Sequence, residues 1–217
     1  MEPVHDNPEN KMTSEISSTK DATAKPDGRL MRSQRSRQLI IDATLALVEE
    51  GNLVPTAQQV ADHAKVGIRT VFRHFSDMES MFSTTHELKR ATFEYLFIGG
   101  DRTGSVDERI QRVTEQRAHA FEVLKQKLLS TQARRWHSEV LRTNYARAQR
   151  RLRKDLDDWL PELIALPAAK REAVDSITSF ETWHRLREHQ SLNIKASIEV
   201  IVQMLQLLLA GHSSETD

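Results

Sequence analysis

The stretch "TAQQVADHAKVGIRTVFRHFSDMESM", residues 56–81, decides the fold of the N-terminal part of the chain. Thr56 followed three residues later by Gln59 is a capping-box spacing, in which each side chain bonds a backbone N–H of the other residue. Apolar residues then recur at helical spacing up to "KVG", which predicts a three-residue turn. The next segment, "IRTVFRHF", places Val71 and Phe75 on one side of a second helix. Two short helices joined by a tight turn predict a helix-turn-helix unit.

The second of these helices has a polar side. At 3.6 residues per turn, Arg69, Thr70, Arg73 and His74 lie together, away from Val71. The pattern by itself fits two interpretations. The polar side is either a solvated surface, with Thr56 acting only as a helix cap, or a surface that contacts a negatively charged partner.

Composition favours an all-α protein. The chain of 217 residues has only seven Gly and six Pro, and it lacks long β-branched runs. The absence of Cys excludes disulfides, thiolate metal sites and a Cys nucleophile. No run of eighteen apolar residues is present, and the N-terminus does not resemble a secretory signal, so we expect a cytoplasmic protein without a membrane partner.

We predict four regions along the chain. Residues 1–28 are polar and rich in Ser, Thr and Pro, which is typical of a disordered arm. Residues 29–76 form the three-helix head, residues 77–211 form a helical bundle, and residues 212–217 are a tail. Further helices are expected at about 33–50, from a Ser76–Glu79 capping box to Gly99, from a Ser105–Glu108 capping box onward, at about 131–166 with a break at Pro161, at 168–189 and at 192–210.

The last helix is apolar on nearly every side. A terminal helix of this kind is either a central core helix or half of an oligomer interface. We predict a homodimer. The expected interface residues are Ile194, Ile198, Ile201, Val202, Leu205, Leu208 and Leu209.

The head resembles the DNA-binding domain of the tetracycline-repressor family of bacterial regulators. The residues that carry this resemblance are Thr56, Val60-Ala61, Ala64-Lys65-Val66-Gly67, Thr70-Val71-Phe72, His74-Phe75, Glu79 and Met81. Three positions depart from the family pattern: Lys65 replaces a turn Gly, Gly67 replaces a capping Ser, and Met78 replaces a phosphate-binding Lys. Phe72 also lacks the hydroxyl of the frequent Tyr, and we expect it to pack in the core.

The resemblance implies that the second helix of the unit lies in the major groove of DNA. Arg69 is then the expected reader of base edges, because its planar guanidinium matches the O6 and N7 atoms of guanine. The full set of expected DNA contacts is Thr56, Lys65, Gly67, Arg69, Thr70, Arg73 and His74. Two interpretations fit Arg29, Arg32, Arg35 and Arg37 equally well. They belong either to an arm that follows the DNA backbone or reaches the minor groove, or to a solvated first helical turn.

The C-terminal bundle carries weaker signals. By analogy with related regulators, His119, Trp136, His137 and Trp183 could line a ligand cavity, although large side chains on helices are more often plain core. The basic stretch at 134–154 is interpreted as a solvated helix face, with a second nucleic-acid surface as the alternative. No motif for a metal, a cofactor or catalysis is present, so we expect no enzyme.

These features together predict a DNA-binding transcriptional regulator. Regulators of the family that it resembles are most often repressors. The resemblance therefore implies a repressor that binds a pseudo-palindromic operator as a homodimer and is released by a small-molecule effector. The alternative is a helical ligand-binding or protein-interaction module with a vestigial head.

Overall fold

The computed structural model of the chain describes residues 28–210, and these residues form helices without any strand. The segment predicted as a tail, and all of the predicted disordered arm except Gly28, lie outside the described residues. The helices are α1 (Gly28–Glu49), α2 (Ala57–Ala64), α3 (Ile68–His74), α4 (Met78–Tyr95), α5 (Val106–Arg135), α6 (Glu139–Trp159), a 3₁₀ helix (Pro161–Ala165), α7 (Ala168–Ile177), α8 (Phe180–His184) followed by a π-helical turn (Arg185–His189), and α9 (Ile194–Ala210).

The head is built from α1, α2, α3 and the first turn of α4. Its buried residues form one cluster, in which Ile40, Val60, Val71 and Met81 are almost inaccessible to solvent. The capping box at the start of α2 is present as predicted, with both reciprocal bonds between Thr56 and its partner. The helix-turn-helix unit of the sequence is therefore confirmed.

The body is a bundle around α5, the longest helix. Its 30 residues pack against α6, α8 and α9, and the buried cluster includes Phe121, Leu156, Trp159 and Leu205. The capping box predicted at the start of α5 is present, with both bonds between Ser105 and Glu108. The head and the body thus have separate buried cores, and α4 runs from one towards the other.

Several helix ends differ from the sequence prediction. The helix α1 begins at Gly28, about a turn earlier than expected, so the N-terminal arginines lie on a helix instead of an extended arm. The cap of α4 is Asp77 and not Ser76: its Oδ1 accepts the N–H of Ser80 at 2.7 Å. A carboxylate is the stronger acceptor at the positive end of a helix, which favours it over the neighbouring hydroxyl.

The body contains more breaks than the periodicity indicated. The helix expected at 131–166 is interrupted at residues 136–138, where Ser138 caps α6 by accepting the N–H of Leu141 at 3.2 Å. The helix expected at 168–189 is interrupted at Thr178, and Ser179 caps α8. Serine in both positions offers the backbone an alternative hydrogen bond, which ends one helix and begins the next.

Side-chain contacts join the head to the body. Lys127 Nζ lies 2.8 Å from a carboxylate oxygen of Glu49, and Ser130 donates a 2.6 Å hydrogen bond to the carbonyl of Leu53. Ser138 donates to the carboxylate of Glu79 at 2.5 Å, and the guanidinium of Arg134 stacks 3.7 Å from the ring centroid of Phe82. Burial in this contact lowers the pKa of Arg134 to about 10. Among the described helices, none is long and apolar enough to cross a membrane.

Candidate nucleic-acid interface

The exposed face of α3 is set by what the helix buries. Val71 is 1% exposed and Phe75, directly after the helix, is 4% exposed. Successive residues turn by 100°, so Arg69 and Arg73 point almost directly away from Val71. Both arginines are exposed. Two guanidinium groups one helical turn apart can bond base edges or phosphates of a nucleic acid.

The flanks of α3 differ from the predicted arrangement. Thr70 and His74, predicted on the polar face, are half-buried on one flank of the helix. Phe72, predicted in the core, is 48% exposed on the opposite flank. The exposed residues of α3 are therefore Ile68, Arg69, Phe72 and Arg73. An exposed aromatic ring beside two arginines can make apolar contact with a thymine methyl group.

His74 is a neutral group in this setting. Its pKa is lowered first by burial and then by the positive charges of Arg73 and Arg37. Its Nε2 is buried and has no hydrogen-bond partner within the described part of the chain. A neutral imidazole half-buried between two arginines is a weaker candidate for phosphate binding than the arginines themselves.

The start of α2 and the turn between α2 and α3 hold three of the predicted residues, all of them accessible to solvent. Thr56, Lys65 and Gly67 are all exposed. Lys65 has φ 54° and ψ 42°, the left-handed conformation expected at a position where the family pattern has Gly. Gly67 caps α3 without a side-chain oxygen, so its cap supplies no side-chain acceptor for the first N–H groups of that helix. N–H groups at a helix start are suited to an anion such as a phosphate.

The first helix contributes a second set of positive charges beside α3. Arg29 and Arg32 on α1 line one cleft with Arg73 on α3, and the cleft has a volume of about 380 Å³. Two serines, Ser33 and Ser36, complete its wall. Positive side chains gathered at an exposed surface attract anions such as phosphate. The spacing of these residues in the sequence gave no sign that Arg73 would join them.

The other two N-terminal arginines have different surroundings. Arg37 stacks 5.2 Å from the ring centroid of Phe75 and so covers the core of the head. Arg35 is exposed on α1. The basic stretch further along, at 134–154, is largely tied to the protein itself: Arg151 pairs with Glu94, and Arg153 pairs with Glu172 at 2.8 Å.

The four residues predicted to line a ligand cavity do not come together. His119, Trp136 and His137 are exposed, and Trp136 is 69% accessible. Trp183 is buried in the body core, where its Nε1 donates a 2.9 Å hydrogen bond to Glu122. Three of the four residues therefore lie at the surface and one in the core, and their role in ligand binding stays a prediction.

A different set of residues encloses a cavity of about 250 Å³ in the body. Its apolar wall is made of aromatic and aliphatic side chains from α4, the turn that follows α4, α5, α6 and α8. Its polar wall includes charged groups from α4, α5 and α6. The aromatic rings of the apolar wall are Phe93, Phe97, Phe121 and Phe180. The ionisable side chains of the polar wall include His86, Arg90, Glu94, Lys127, Arg147, Arg151 and Asp155.

The last helix is divided between two faces. Ile201, Leu205 and Leu209 are buried against the body core, so these three predicted interface residues are internal to the chain. Ile198, Val202 and Leu208 are half-buried against the same cluster, and Ile194 is 44% exposed. The outward face instead presents Met204 and Leu207, of which Leu207 is 77% exposed. Sequence periodicity missed this face because the helix is apolar on nearly every side.

Within residues 28–210 there is no group of three or more His, Asp or Glu side chains arranged to hold a metal ion.

Comparison with known proteins supports the assignment of the head. Residues 40–84 match the family model described as bacterial regulatory proteins, tetR family. The matched segment includes all of α2 and α3, with the exposed arginines of α3. The comparison with curated proteins gave no match.

Solved structures share the fold over most of the chain. A transcriptional regulator from Rhodococcus sp. Rha1 superposes with a TM-score of 0.60 at 15% identity, covering 82% of this chain and 96% of the other. A protein described as a transcriptional regulator from Pseudomonas aeruginosa PAO1 gives 0.60 at 13% identity, covering 81% and 90%. Another from Streptomyces coelicolor A3(2) gives 0.52 at 20% identity, covering 78% and 98%. At these identities the likeness establishes a shared fold.

Proposed function

We propose that this chain, which belongs through residues 40–84 to the tetR family of bacterial regulatory proteins, represses transcription by binding a pseudo-palindromic operator. The observation that carries the proposal is the exposed face of α3. Arg69 and Arg73 project from it directly opposite the core, and Arg73 also lines the cleft with Arg29 and Arg32. This surface is positive although the chain as a whole has a formal net charge of zero.

The contacts within this surface have distinct roles in the proposal. Arg69 reads a base edge in the major groove, and Phe72 adds apolar contact beside it. Lys65, Thr56 and the N–H groups after Gly67 contact phosphates, as do the arginines of the cleft. Thr70 and His74 remain proposed contacts, but their partial burial restricts them to the edge of the interface.

The proposal includes a homodimer. Two heads that bind one operator must present their recognition helices about 34 Å apart, one turn of the DNA. The surface that supports association is the outward face of α9, with Met204 and Leu207. Exposed apolar side chains on a helix of this kind favour burial against a second copy.

The proposal also includes release of DNA by a small molecule bound in the body cavity. Such a ligand acts only if it binds the two conformations of the protein with different affinities. The cavity is lined by α4, the helix that begins in the head core, and by Lys127, which pairs with the head. A ligand there is in position to alter how the head sits on the body.

Substitution of Arg69 tests the base-reading role. Arg69→Ala is expected to weaken operator binding by about 1–3 kcal/mol and to relax the sequence preference at one position of each half-site. Arg150→Ala removes an exposed arginine of α6 and should leave binding unchanged. Binding is measured by fluorescence anisotropy with matched and single-mismatch duplexes. Equal affinities for the wild-type protein and the Arg69 variant on every duplex would exclude Arg69 as a reader.

The alternative function is a ligand-binding module whose head no longer binds DNA. Met78, which stands where the family pattern has a phosphate-binding Lys, is half-buried against the head core and favours this alternative. Salt dependence separates the two functions, because phosphate contacts release counterions. A regulator loses duplex affinity steeply between 50 and 200 mM salt, whereas a vestigial head shows no measurable duplex binding at either concentration.

A further inference from the structure

The charges that line the body cavity are not balanced. Arg90, Lys127, Arg147 and Arg151 contribute four positive charges, whereas Glu94 and Asp155 contribute two negative ones. The imidazole of His86 adds no charge near neutral pH, because burial lowers its pKa. The cavity wall therefore carries a surplus of two positive charges.

Both carboxylates of the wall already have cationic partners within the protein. Glu94 pairs with Arg151 and lies 3.8 Å from Arg90. Asp155 lies 2.9 Å from Arg102 and 4.0 Å from Arg117. A cationic ligand would have to compete with these arginines for an acidic partner. The wall consequently favours an anionic ligand.

Lys127 differs from the other cations of the wall in the position of its partner. Arg151 pairs with Glu94. Arg90 lies 2.9 Å from Glu87 and 3.8 Å from Glu94, and both of these glutamates are on α4. Lys127 instead pairs at 2.8 Å with Glu49, the last residue of α1 and part of the head. Its Nζ also lies 5.0 Å from the ring centroid of Phe93, which belongs to the apolar wall. The ammonium group of Lys127 thus lies at the cavity wall and also forms an ion pair with the head.

The bond between Lys127 and Glu49 is weak enough to be exchanged. The side chain of Glu49 is 59% exposed, and that of Lys127 is 22% exposed. A pair with one well-exposed partner contributes little to stability, because water solvates the carboxylate of Glu49 well. An anion inside the cavity would meet Lys127 in a less polar setting, where the attraction between opposite charges is stronger.

The apolar wall indicates the rest of the ligand. Phe121 packs edge to face with both Phe97 and Phe180, at centroid distances of 5.7 Å. Together with Phe93 these rings form a surface suited to a flat apolar molecule. The Nδ1 of His86 is buried without a hydrogen-bond partner among the described residues, so it is available to a polar atom of a ligand. A cavity of about 250 Å³ lies just below the usual range for drug-sized ligands, which limits the molecule to a small one.

We propose that the cavity binds a small aromatic carboxylate. Its anionic group displaces Glu49 as the ion-pair partner of Lys127 and so weakens the contact between α1 and α5. The proposal deepens the proposed function, on which it rests for the consequence at the DNA. Its binding part concerns the cavity alone and can be tested without DNA.

The test uses two probes of the same shape, 2-naphthoate and its neutral analogue 2-naphthamide. Titration of the full-length protein is followed by calorimetry. The wild-type protein is expected to bind naphthoate at least tenfold more tightly than naphthamide. Lys127→Met should abolish that difference, because it removes the charge and keeps much of the apolar stem. Lys125→Met is the matched control, since Lys125 lies on the same helix but pairs with Glu188 outside the cavity.

The competing partner gives a second and opposite effect. Glu49→Gln removes the carboxylate that Lys127 holds and leaves the cavity wall intact, so naphthoate should bind about two- to fivefold more tightly. Affinity for naphthamide should stay the same. A merely structural role for Lys127 would not produce tighter binding on loss of its partner.

Hydrogen exchange reports the loosening of the head. Naphthoate, but not naphthamide, should speed amide exchange in residues 46–53 of the wild-type protein. Equal binding of the two probes, absence of binding by both, or no effect of Lys127→Met and Glu49→Gln would each overturn the proposal. If naphthoate binds through Lys127 while the protein fails to bind duplex DNA, the proposed function fails and the cavity assignment stands.

Discussion

Arg69 and Arg73 owe their exposure to the residue between them. Val71 is 1% exposed and fixes the rotation of α3, which leaves the two arginines on the far side of the helix. The same rotation exposes Phe72 and half-buries His74. One buried valine thus determines which side chains of this seven-residue helix can reach a partner.

The two neighbouring phenylalanines of α3 should respond in opposite ways to truncation. Phe72→Ala is expected to change the free energy of unfolding by no more than about 0.5 kcal/mol, because the ring is 48% exposed, and to weaken operator binding. Phe75→Ala removes a buried ring and should destabilise the fold by about 3–5 kcal/mol. Urea unfolding and anisotropy on the same samples measure both effects. Loss of stability in the Phe72 variant would place that ring in the core after all.

His86 makes the stability of the fold depend on pH. Burial is the largest cause that lowers its pKa below the ordinary 6.5, followed by opposing effects of Glu87, Arg134, Arg90 and Glu94. The folded state therefore binds a proton less readily than the unfolded chain. Its contribution to stability is complete above pH 6.5 and is lost as the pH falls through the lowered value. Histidine NMR titration and urea unfolding at pH 7.5 and 5.5 should show this loss, which His86→Asn should reduce.

The turn between α2 and α3 is the element on which the recognition geometry depends. Lys65 holds a left-handed backbone conformation, with its N–H bonded to the carbonyl of Asp62 at 3.2 Å. A residue with a Cβ is strained in this conformation by roughly 1 kcal/mol. The strain persists here in a residue that the proposal assigns to a phosphate contact.

Lys65→Gly should separate stability from binding. We expect the variant to be more stable by roughly 0.5–1 kcal/mol, because glycine relieves the strain, while its affinity for duplex DNA falls. The slope of log affinity against log salt should shrink by about one unit, since one phosphate contact is lost. Thermal unfolding and salt-dependent anisotropy measure the two effects. An unchanged salt slope would remove Lys65 from the interface.

Helix starts were predictable where a capping pair was complete. The Thr56–Gln59 and Ser105–Glu108 boxes form as expected. At α4 the spacing rule predicted Ser76 as the cap, whereas the structure uses its neighbour Asp77. The difference depends on the strength of the acceptor, which a spacing rule does not contain. The sequence pattern also failed to predict the helix breaks at Ser138 and Ser179 in the body. A serine within an apolar pattern looks like an ordinary surface residue of a helix unless its hydrogen bonds are known.

For the whole molecule, sequence patterns were informative about local contacts and weak about distant ones. The head fold and the exposed arginines followed from residues 56–81, which are contiguous. The cavity is assembled from α4, α5, α6 and α8, so its lining joins residues such as His86 and Phe180 that no local period connects. The same holds for the cleft that brings Arg29 and Arg73 together. Such surfaces depend on how helices cross, which the sequence pattern does not record.

The proposed dimer makes a prediction about α9. Leu207→Glu places a charge on the outward face and should convert the dimer to a monomer without unfolding it, because this residue is 77% exposed. Ile164→Glu is the matched control, since Ile164 is also 77% exposed but lies on the 3₁₀ helix. Light scattering after size-exclusion chromatography gives the mass. A dimer that survives Leu207→Glu would place the interface elsewhere.

The central claim is that the arginine face of α3 reads duplex DNA in two symmetric copies. Selection of bound sequences from a pool of random duplexes tests it most directly. We expect enrichment of an inverted repeat whose half-site centres lie about one helical turn, or a small multiple of it, apart. With the Arg69→Ala protein we expect loss of the preferred base at one position of each half-site. Recovery of unenriched random sequence, or of a motif unaffected by Arg69→Ala, would contradict it.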